Sequence, residues 1–567
     1  MARSRIMNTK LNPSPFLNLL SLTPFSSLIS TPKKIHKTKK LLLPSTSISL
    51  LFVSLLSFFV FPVIIILGTI KVSQSSSSCS VCSPATSLSS SSSSPSSRML
   101  LASLSAIFSD YGDEDKPRLS VSEMVPLPAH GIPSNLSQEE IEFWKQPDNE
   151  GYQPCLDFSI RYRKESSVIS RENKRFLVVV ASGGLNQQRN QIVDAVVIAR
   201  ILKAVLVVPI LQVNIIWGDE SEFSDIFDVE HFKRTLLADV RVVSSLPFKH
   251  LISRQSVETQ IPFDVSPLWI RTRFSKQLNE EGILVLKGLD SKLAKNLPSD
   301  LQKLRCKVAF HALRFAAPIR DLGNRLARRM WIEGPYIAIH LRLEKDVWIR
   351  TGCQTGLGPQ FDRMISEERS TRPEYLTGRL NMSYPQRRLA GLCPLNAFEV
   401  ARLLKALGAS RDARVYVAGG EPYGGSDALK PLIREYPNMF TKQTLAREGE
   451  LLPFFNRSSA LAALDYIVSL SSDVFLPSHG GNMGRAMQGH RAYSGHRKYI
   501  KPNKRMMLPF FEEKSISEAE LGSVIRKMHE KSQGQAEPRT GKRDRDVIAY
   551  PVPECMCKHP SFSSSFS

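Results

Sequence analysis

The sequence predicts an α/β chain of two parallel-sheet halves, preceded by a single membrane anchor. Three observations carry this. Residues 48–70 form an apolar run without a charge, beyond residue 171 short β-branched runs alternate with glycine loops and helical stretches, and a second such set begins at Tyr336. At 567 residues there is room for two or three domains of roughly 100–200 residues each. A hydrophobic content of 42% excludes a wholly disordered chain. A many-spanning transporter does not fit, because only one stretch is long and apolar enough to cross a bilayer.

Net charge is +22, from 75 Lys+Arg against 53 Asp+Glu. Ten basic residues and no acidic ones fall in residues 1–109, so the remainder carries 65 against 53, or +12. Much of the excess belongs to a leader, which points away from a nucleic-acid partner. A helix over 48–70 would be about 34 Å long, enough for a hydrocarbon core of roughly 30 Å. Membrane spans tolerate a proline such as Pro62. Lys33, Lys34, Lys37, Lys39 and Lys40 precede the run, while only Lys71 and Arg98 follow closely. The positive-inside rule then puts 1–47 in the cytosol and the bulk in the lumen, a type II arrangement. A cleaved signal would have a shorter apolar core nearer the start, and a transit peptide would not explain the apolar run.

Residues 71–150 read as a Ser/Pro-rich lumenal stem too polar to bury a core. All eight cysteines follow the apolar run. Disulfides are the default in a lumen, and the six outside the stem (Cys155, Cys306, Cys353, Cys393, Cys555, Cys557) allow 15 connectivities. No metal site is expected, since no histidine pattern with ligand spacing accompanies the close cysteine pairs. Asn135, Asn381 and Asn456 head N-x-Ser triplets and are expected glycosylation acceptors.

FLVVV (176–180) is a buried strand by length and β-branching, ASGGLN a loop, 187–202 a helix and AVLVVP (204–209) the next strand. This strand–loop–helix–strand unit implies parallel pairing. YIAIHLRLE (336–344), VYVAGG (415–420) and VFLP (474–477) supply the second set, with helices near 427–436, 460–470 and from about 483. The halves are placed at 151–330 and 331–515, with a tail at 516–567 that opens on an amphipathic helix. Asp544-Arg545-Asp546 in that tail reads as a solvated charge run. Ligands of open α/β sheets bind beyond the carboxyl ends of strands, so the loops there are the candidates.

Three loops stand out. Ser182-Gly183-Gly184-Leu185-Asn186-Gln187 joins a strand to a helix, where backbone amides and the helix start can meet an anion; a plain tight turn reads equally well. It is not G-x-G-x-x-G, and Ile210-Leu211-Gln212 offers no acid for a ribose, which disfavours a nicotinamide enzyme. His340-Leu341-Arg342 ends a strand with imidazole and guanidinium on one face, costly in a core unless partnered. Arg342 suits a diphosphate and His340 a ribose or phosphate, against a salt bridge to Glu344 or Asp346. Ser478-His479-Gly480-Gly481-Asn482-Met483 is again strand, glycine loop and helix, a second anion cradle or a second turn. Asp465, in the apolar stretch LAALDYIVSL, is a satisfied core acid or faces a nucleobase.

Taken together, ASGGLNQQRNQIVDAVVIARILKAVLVVP, FSDIFDVEHF, YIAIHLRLEKDVWIRTGC, VYVAGGEPYGG and LAALDYIVSLSSDVFLPSHGGNMGRAMQGHR resemble the plant GDP-fucose protein O-fucosyltransferase family. The likeness runs in order from about 172 to 510. HLRLEKDVWIRTGC, ISEER, PEYLTGRL, AGLCPL and DRDVIAYPVPECMC look most like its mannan-synthesis-related branch.

The resemblance implies a GT-B fold of two Rossmann-like halves facing a cleft, a type II Golgi membrane protein, and inverting transfer from GDP-fucose without a metal or other cofactor. Carried over by position, Gly183, Gly184 and Asn186 would line the cleft, and His340 and Arg342 would match the family's H-x-R with Arg342 on the diphosphate. Asp465 would face the guanine, and Asn482 with Met483 would contact phosphate, making 331–515 the nucleotide-binding half. Glu344 and Asp346 are the catalytic-base candidates, by nearness to Arg342 in sequence. Ser182, Gly480 and Ile210-Leu211-Gln212 depart from the usual family pattern. The implied partners are a nucleotide-sugar donor, a protein or polysaccharide acceptor and the membrane. The rival readings are a mannan or pectin glycosyltransferase, or a non-catalytic cofactor of a Golgi cell-wall synthase complex.

Overall fold

The structure is a computed structural model that describes residues 126–558 apart from 170–173, 215, 248–256, 259–260, 377–380, 514 and 541–544. The proposed cytosolic tail, anchor and most of the stem therefore lie outside the described residues. Among those described, no helix is long and apolar enough to cross a membrane.

A short strand β1 (Tyr152–Pro154) precedes the first sheet, built from β2 (Phe176–Ala181), β3 (Val205–Val207), β4 (Ile210–Leu211), β5 (Val242–Val243), β6 (Val257–Glu258) and β7 (Ile283–Lys287). Its order is β5-β3-β2-β7-β6, with β4 pairing the carboxyl end of β2, and every pairing is parallel. The order reverses between β2 and β7, where crossovers leave toward opposite edges. Such a switch point opens a crevice at the carboxyl ends of the strands.

The second sheet contains β8 (Tyr336–His340), β9 (Arg414–Ala418), β10 (Met439–Phe440) and β11 (Val474–Pro477), ordered β10-β9-β8-β11 and also all parallel. Here the switch point falls between β8 and β11. The loops HLR and SHGG leave from these two adjacent strand ends, which is why segments over a hundred residues apart meet. A last strand, β12 (Met556–Lys558), returns to pair antiparallel with β1.

Four helices position the site, α1 (Leu185–Leu202), α2 (Ala317–Ile332), α3 (Ser458–Ser471) and α4 (Asn482–Tyr493), and a fifth, α5 (Glu518–His529), opens the tail. α1 buries nearly all of its length, including Gln188, Arg189, Gln191 and Asp194. α2 and α3 lie so close that a Cβ on Gly323 would stand 2.5 Å from Ile467 Cδ1. The second sheet alternates as a strand buried on both faces must. Tyr336, Ala338, Tyr416 and Ala418 join the core shared with the first half, and Ile337, Ile339, Val415 and Val417 join a second core.

Two stretches differ from the sequence reading. Residues 126–150 read as stem in the sequence, yet they pack: a capping box between Ser137 and Glu140 starts a helix that buries Phe143 and Trp144. His130 also binds Asp473 through its N–H (2.8 Å) and Nδ1 (3.1 Å). The tail is equally fixed. Val547, Ile548, Ala549, Val552, Cys555 and Met556 are buried, and Gly489 of α4 lies so near Ile548 that a Cβ would meet its carbonyl oxygen at 1.5 Å. Disulfides Cys306–Cys555 and Cys155–Cys557 tie the tail down, and Cys353–Cys393 closes a loop in the second half. Asp546, expected to be solvated, pairs with buried Arg305 at 2.9 Å, because the apolar residues after it draw it into the core. Asp544 lies outside the described residues.

Candidate functional site

β8 leaves the sheet at His340 with its hydrogen bonding continued on both sides. The Leu341 N–H donates to Ala418 O (3.0 Å) and the Ser478 N–H to His340 O (2.9 Å). The Arg342 N–H then donates to Ser478 Oγ at 3.0 Å, locking H-x-R to the loop after β11. The Arg342 guanidinium is forked between two carboxylates, with Nη1 2.6 Å from Glu344 Oε2 and Nη2 2.7 Å from Asp346 Oδ2. Burial works against its charge, but Glu344 and Asp346 outweigh that and raise its pKa. Arg342 is thus a permanent, aimed cation, and both carboxylates proposed as bases are taken up in holding it.

Glu344 is held in turn. Its Oε1 accepts from the Gly420 N–H at 2.9 Å. Gly419, at φ +143°, lies so close to β8 that a Cβ would meet Leu341 O at 2.6 Å. The reading of VYVAGG as a strand missed this duty of its glycine pair, for which a Gly-Gly directly after a strand was the available signal. The bond from the Arg342 N–H to Ser478 and the contact of Lys442 with Asp465 (2.8 Å) also lie beyond that reading.

His340 Nδ1 and His479 Nδ1 are buried without a hydrogen-bond partner. Burial, with Arg342 and Lys442 nearby, pushes the His340 pKa down to about 3, and burial with Lys504 and Arg342 does the same to His479. Both imidazoles are therefore neutral at physiological pH and serve as hydrogen-bonding groups.

α4 begins directly after Gly480-Gly481, with Asn482 as its first residue and Gly481 as its cap. A Cβ on Gly480 would meet nothing within 4 Å, so the approach to the first turn of α4 is open, although the Gly481 N–H itself donates to His479 O at 2.9 Å. Across the cleft, Gly183 takes φ +86° and a Cβ there would fall 2.4 Å from Gln187 Oε1, whereas Gly184 faces open space. The Gln191 amide clasps this loop, donating to Ser182 O (2.7 Å) and accepting from the Ser182 N–H (3.2 Å). Asn186 Nδ2 reaches Met483 Sδ at 3.3 Å, and Asn186 Oδ1 is buried without a partner. Asn186 and Met483 thus join the two halves at the cleft.

Asp465 is a satisfied core acid. Its carboxylate accepts from Tyr416 Oη (2.7 Å), the Gly419 N–H (3.1 Å) and Lys442 Nζ (2.8 Å). It supports the Gly419-Gly420 turn from beneath. Arg485, one turn into α4, is exposed and lines a cavity of about 620 Å³ with His479 and Gly480 from one half and Asp264 and Ser291 from the other. Asn135, Asn381 and Asn456 are all exposed.

Two Rossmann-like sheets, with a forked arginine and a glycine-opened helix start together on one side of the cleft, form an arrangement that suits a nucleoside diphosphate and the class of nucleotide-sugar glycosyltransferases. The sequence model of the GDP-fucose protein O-fucosyltransferase family matches residues 176–494. O-fucosyltransferase 37 of Arabidopsis thaliana is 73% identical over 439 residues, covering 77% of this chain and 78% of that one. O-fucosyltransferase 16 of the same plant is 37% identical over 466 residues, covering 81% and 80%. The crystal structure of POFUT1 in complex with GDP aligns at 13% identity with a TM-score of 0.36, covering 57% of this chain and 98% of that one. The chain belongs to the GDP-fucose protein O-fucosyltransferase family.

Proposed function

We propose that this protein transfers fucose from GDP-fucose to a hydroxyl of a protein or glycan acceptor, with inversion and without a metal, as a type II protein of the Golgi membrane. The observation that supports it best is Arg342, fixed by Glu344, Asp346 and Ser478 beside the open start of α4. In this reading the C1–O bond to the diphosphate stretches, the sugar nears an oxocarbenium ion and charge grows on the leaving phosphate. Arg342 and the amides of Asn482 and Met483 at the start of α4 meet that charge, already oriented before the reaction begins. The acceptor hydroxyl attacks the opposite face of the sugar. Glu344 and Asp346 act by holding Arg342, while the unpaired Nδ1 of His340 and Oδ1 of Asn186 are offered to hydroxyls or phosphate oxygens.

The test is thermal stability of the full-length chain with GDP, GDP-fucose, GDP-mannose and UDP-sugars, beside Arg342→Ala. A ligand at 100 times its Kd adds about 2.7 kcal/mol of stability. Stabilisation by GDP-linked ligands alone, lost in Arg342→Ala, supports the reading; indifference to every guanine nucleotide refutes it. Protease protection of a tagged chain in Golgi vesicles tests the topology.

A further inference from the structure

We propose that Trp217, with Ile216 beside it, is the wall against which the donor's sugar lies, and that it selects a 6-deoxyhexose over a hexose carrying a 6-hydroxyl. The proposal rests on the reading of Arg342 as the diphosphate arm. The Arg342 guanidinium stands 5.6 Å from the centre of the Trp217 ring, so the indole faces the arm from the other half of the molecule. A sugar is joined to its diphosphate by a single oxygen and so stays beside the group that holds the phosphate. A donor held by Arg342 therefore brings its pyranose to the indole.

The loop is built to hold that ring still. Asn214 and Asp219 close it with two backbone bonds (2.8 and 3.2 Å), and the Trp217 N–H donates to Asn214 O at 3.2 Å. Asp219 then reaches the other half, accepting from the Ser459 N–H at 2.6 Å and Ser458 Oγ at 3.1 Å at the start of α3. Asn186 and Met483 bridge the same cleft, and β4 starts the loop beside the glycine turn after β2.

The chemistry of the loop is apolar and open. Residues 210–218 contain no ionisable side chain, and Ile210, Val213, Ile216 and Trp217 are exposed at 51%, 50%, 54% and 37%. Four large apolar residues left uncovered in eight positions mark a contact surface. An indole face suits the C–H and methyl groups of a sugar. A hydroxyl pressed against that face gives up water and meets only ring and C–H atoms, the Asn214 Oδ1 nearby already accepting from the Ile216 and Trp217 N–H groups (3.2 and 3.4 Å). Apolar pockets discriminate such pairs by about 10²-fold at most, which sets the scale.

The experiment measures the affinity of the full-length wild type, Trp217→Ala and Trp217→Phe for GDP, GDP-fucose and GDP-mannose by calorimetry. The proposal expects GDP affinity to stay within about 2-fold in all three. It expects the fucose-over-mannose preference to fall about 10-fold or more in Trp217→Ala and to be largely kept in Trp217→Phe. An unchanged preference in Trp217→Ala overturns it, as does an equal loss for all three ligands, which would mark a general collapse of the arm. A changed acceptor KM with donor preference intact also overturns it, assigning the wall to the acceptor. A wild type that binds no GDP refutes the underlying reading instead, and the proposal with it.

Discussion

The two loops that meet at the cleft are built on opposite principles. On the C-terminal side charge is fixed by charge: Arg342 by Glu344 and Asp346, and Asp465 by Lys442 with Tyr416. On the N-terminal side neither 182–188 nor 210–218 contains an ionisable residue, and shape comes from backbone, through the positive φ of Gly183 and the Gln191 clasp. A nucleoside diphosphate carries the same charge whatever sugar it bears. The side rigid in charge suits that constant part, and the side rigid in shape suits the part that varies.

If that division is right, the largest effects belong to the charged side. Lys442→Met leaves the Asp465 carboxylate buried without its cation, a change worth about 3–5 kcal/mol of stability. Denaturant titration checks it, and Lys442→Met with Asp465→Asn should recover much of the loss. Arg342→Ala should lower kcat about 10²–10³-fold, the usual cost of one preorganised donor at a developing anion. Arg342→Lys, which keeps the charge but loses the fork, should still fall at least ~10-fold. Full activity in the lysine variant would show that charge alone suffices.

The backbone side should respond to Cβ atoms instead. Gly183→Ala places a side chain at φ +86° and against Gln187, costing about 1–2 kcal/mol. Gly184→Ala meets open space and should change stability by no more than about 0.5 kcal/mol. Equal melting temperatures for the two variants would mean the loop is not held as the structure shows.

The strands and loops that carry the site were legible because each is a local pattern. FLVVV, YIAIH and VFLP are short apolar runs; Gly183-Gly184 and Gly480-Gly481 mark the turns after the first and last, and the polar pair of H-x-R marks the end of the second. What was hidden depended on long-range pairing. Lys442 meets Asp465 across 23 residues and Ser478 meets Arg342 across 136. The tail misled for a related reason. Its charges are local and visible, whereas the disulfides that bury it join residues 249 and 402 positions apart. Trp217 went unread because a lone tryptophan in a loop becomes informative only once Arg342 stands opposite.

A buried carboxylate behind the N-terminal side gives the smallest prediction. Asp194 of α1 lies 3.7 Å from Arg305, the residue that also anchors Asp546 of the tail. Burial pushes its pKa up to about 7, more than Arg305 can offset. The folded protein therefore holds a proton that the unfolded chain has released from about pH 4 upward. Its contribution to stability falls as pH rises from about 4 to 7 and is flat beyond. His340, His479 and His490 act in the opposite sense: their folded pKa of about 3 adds stability as pH rises toward 6.5. The wild-type profile mixes the two, so the informative quantity is a difference. Asp194→Asn cannot titrate, and its melting temperature relative to wild type should climb between pH 5 and pH 8. A constant difference would mean that Asp194 is ionised throughout, and that charge pairing, not a bound proton, fastens the tail beneath the backbone-built side of the cleft.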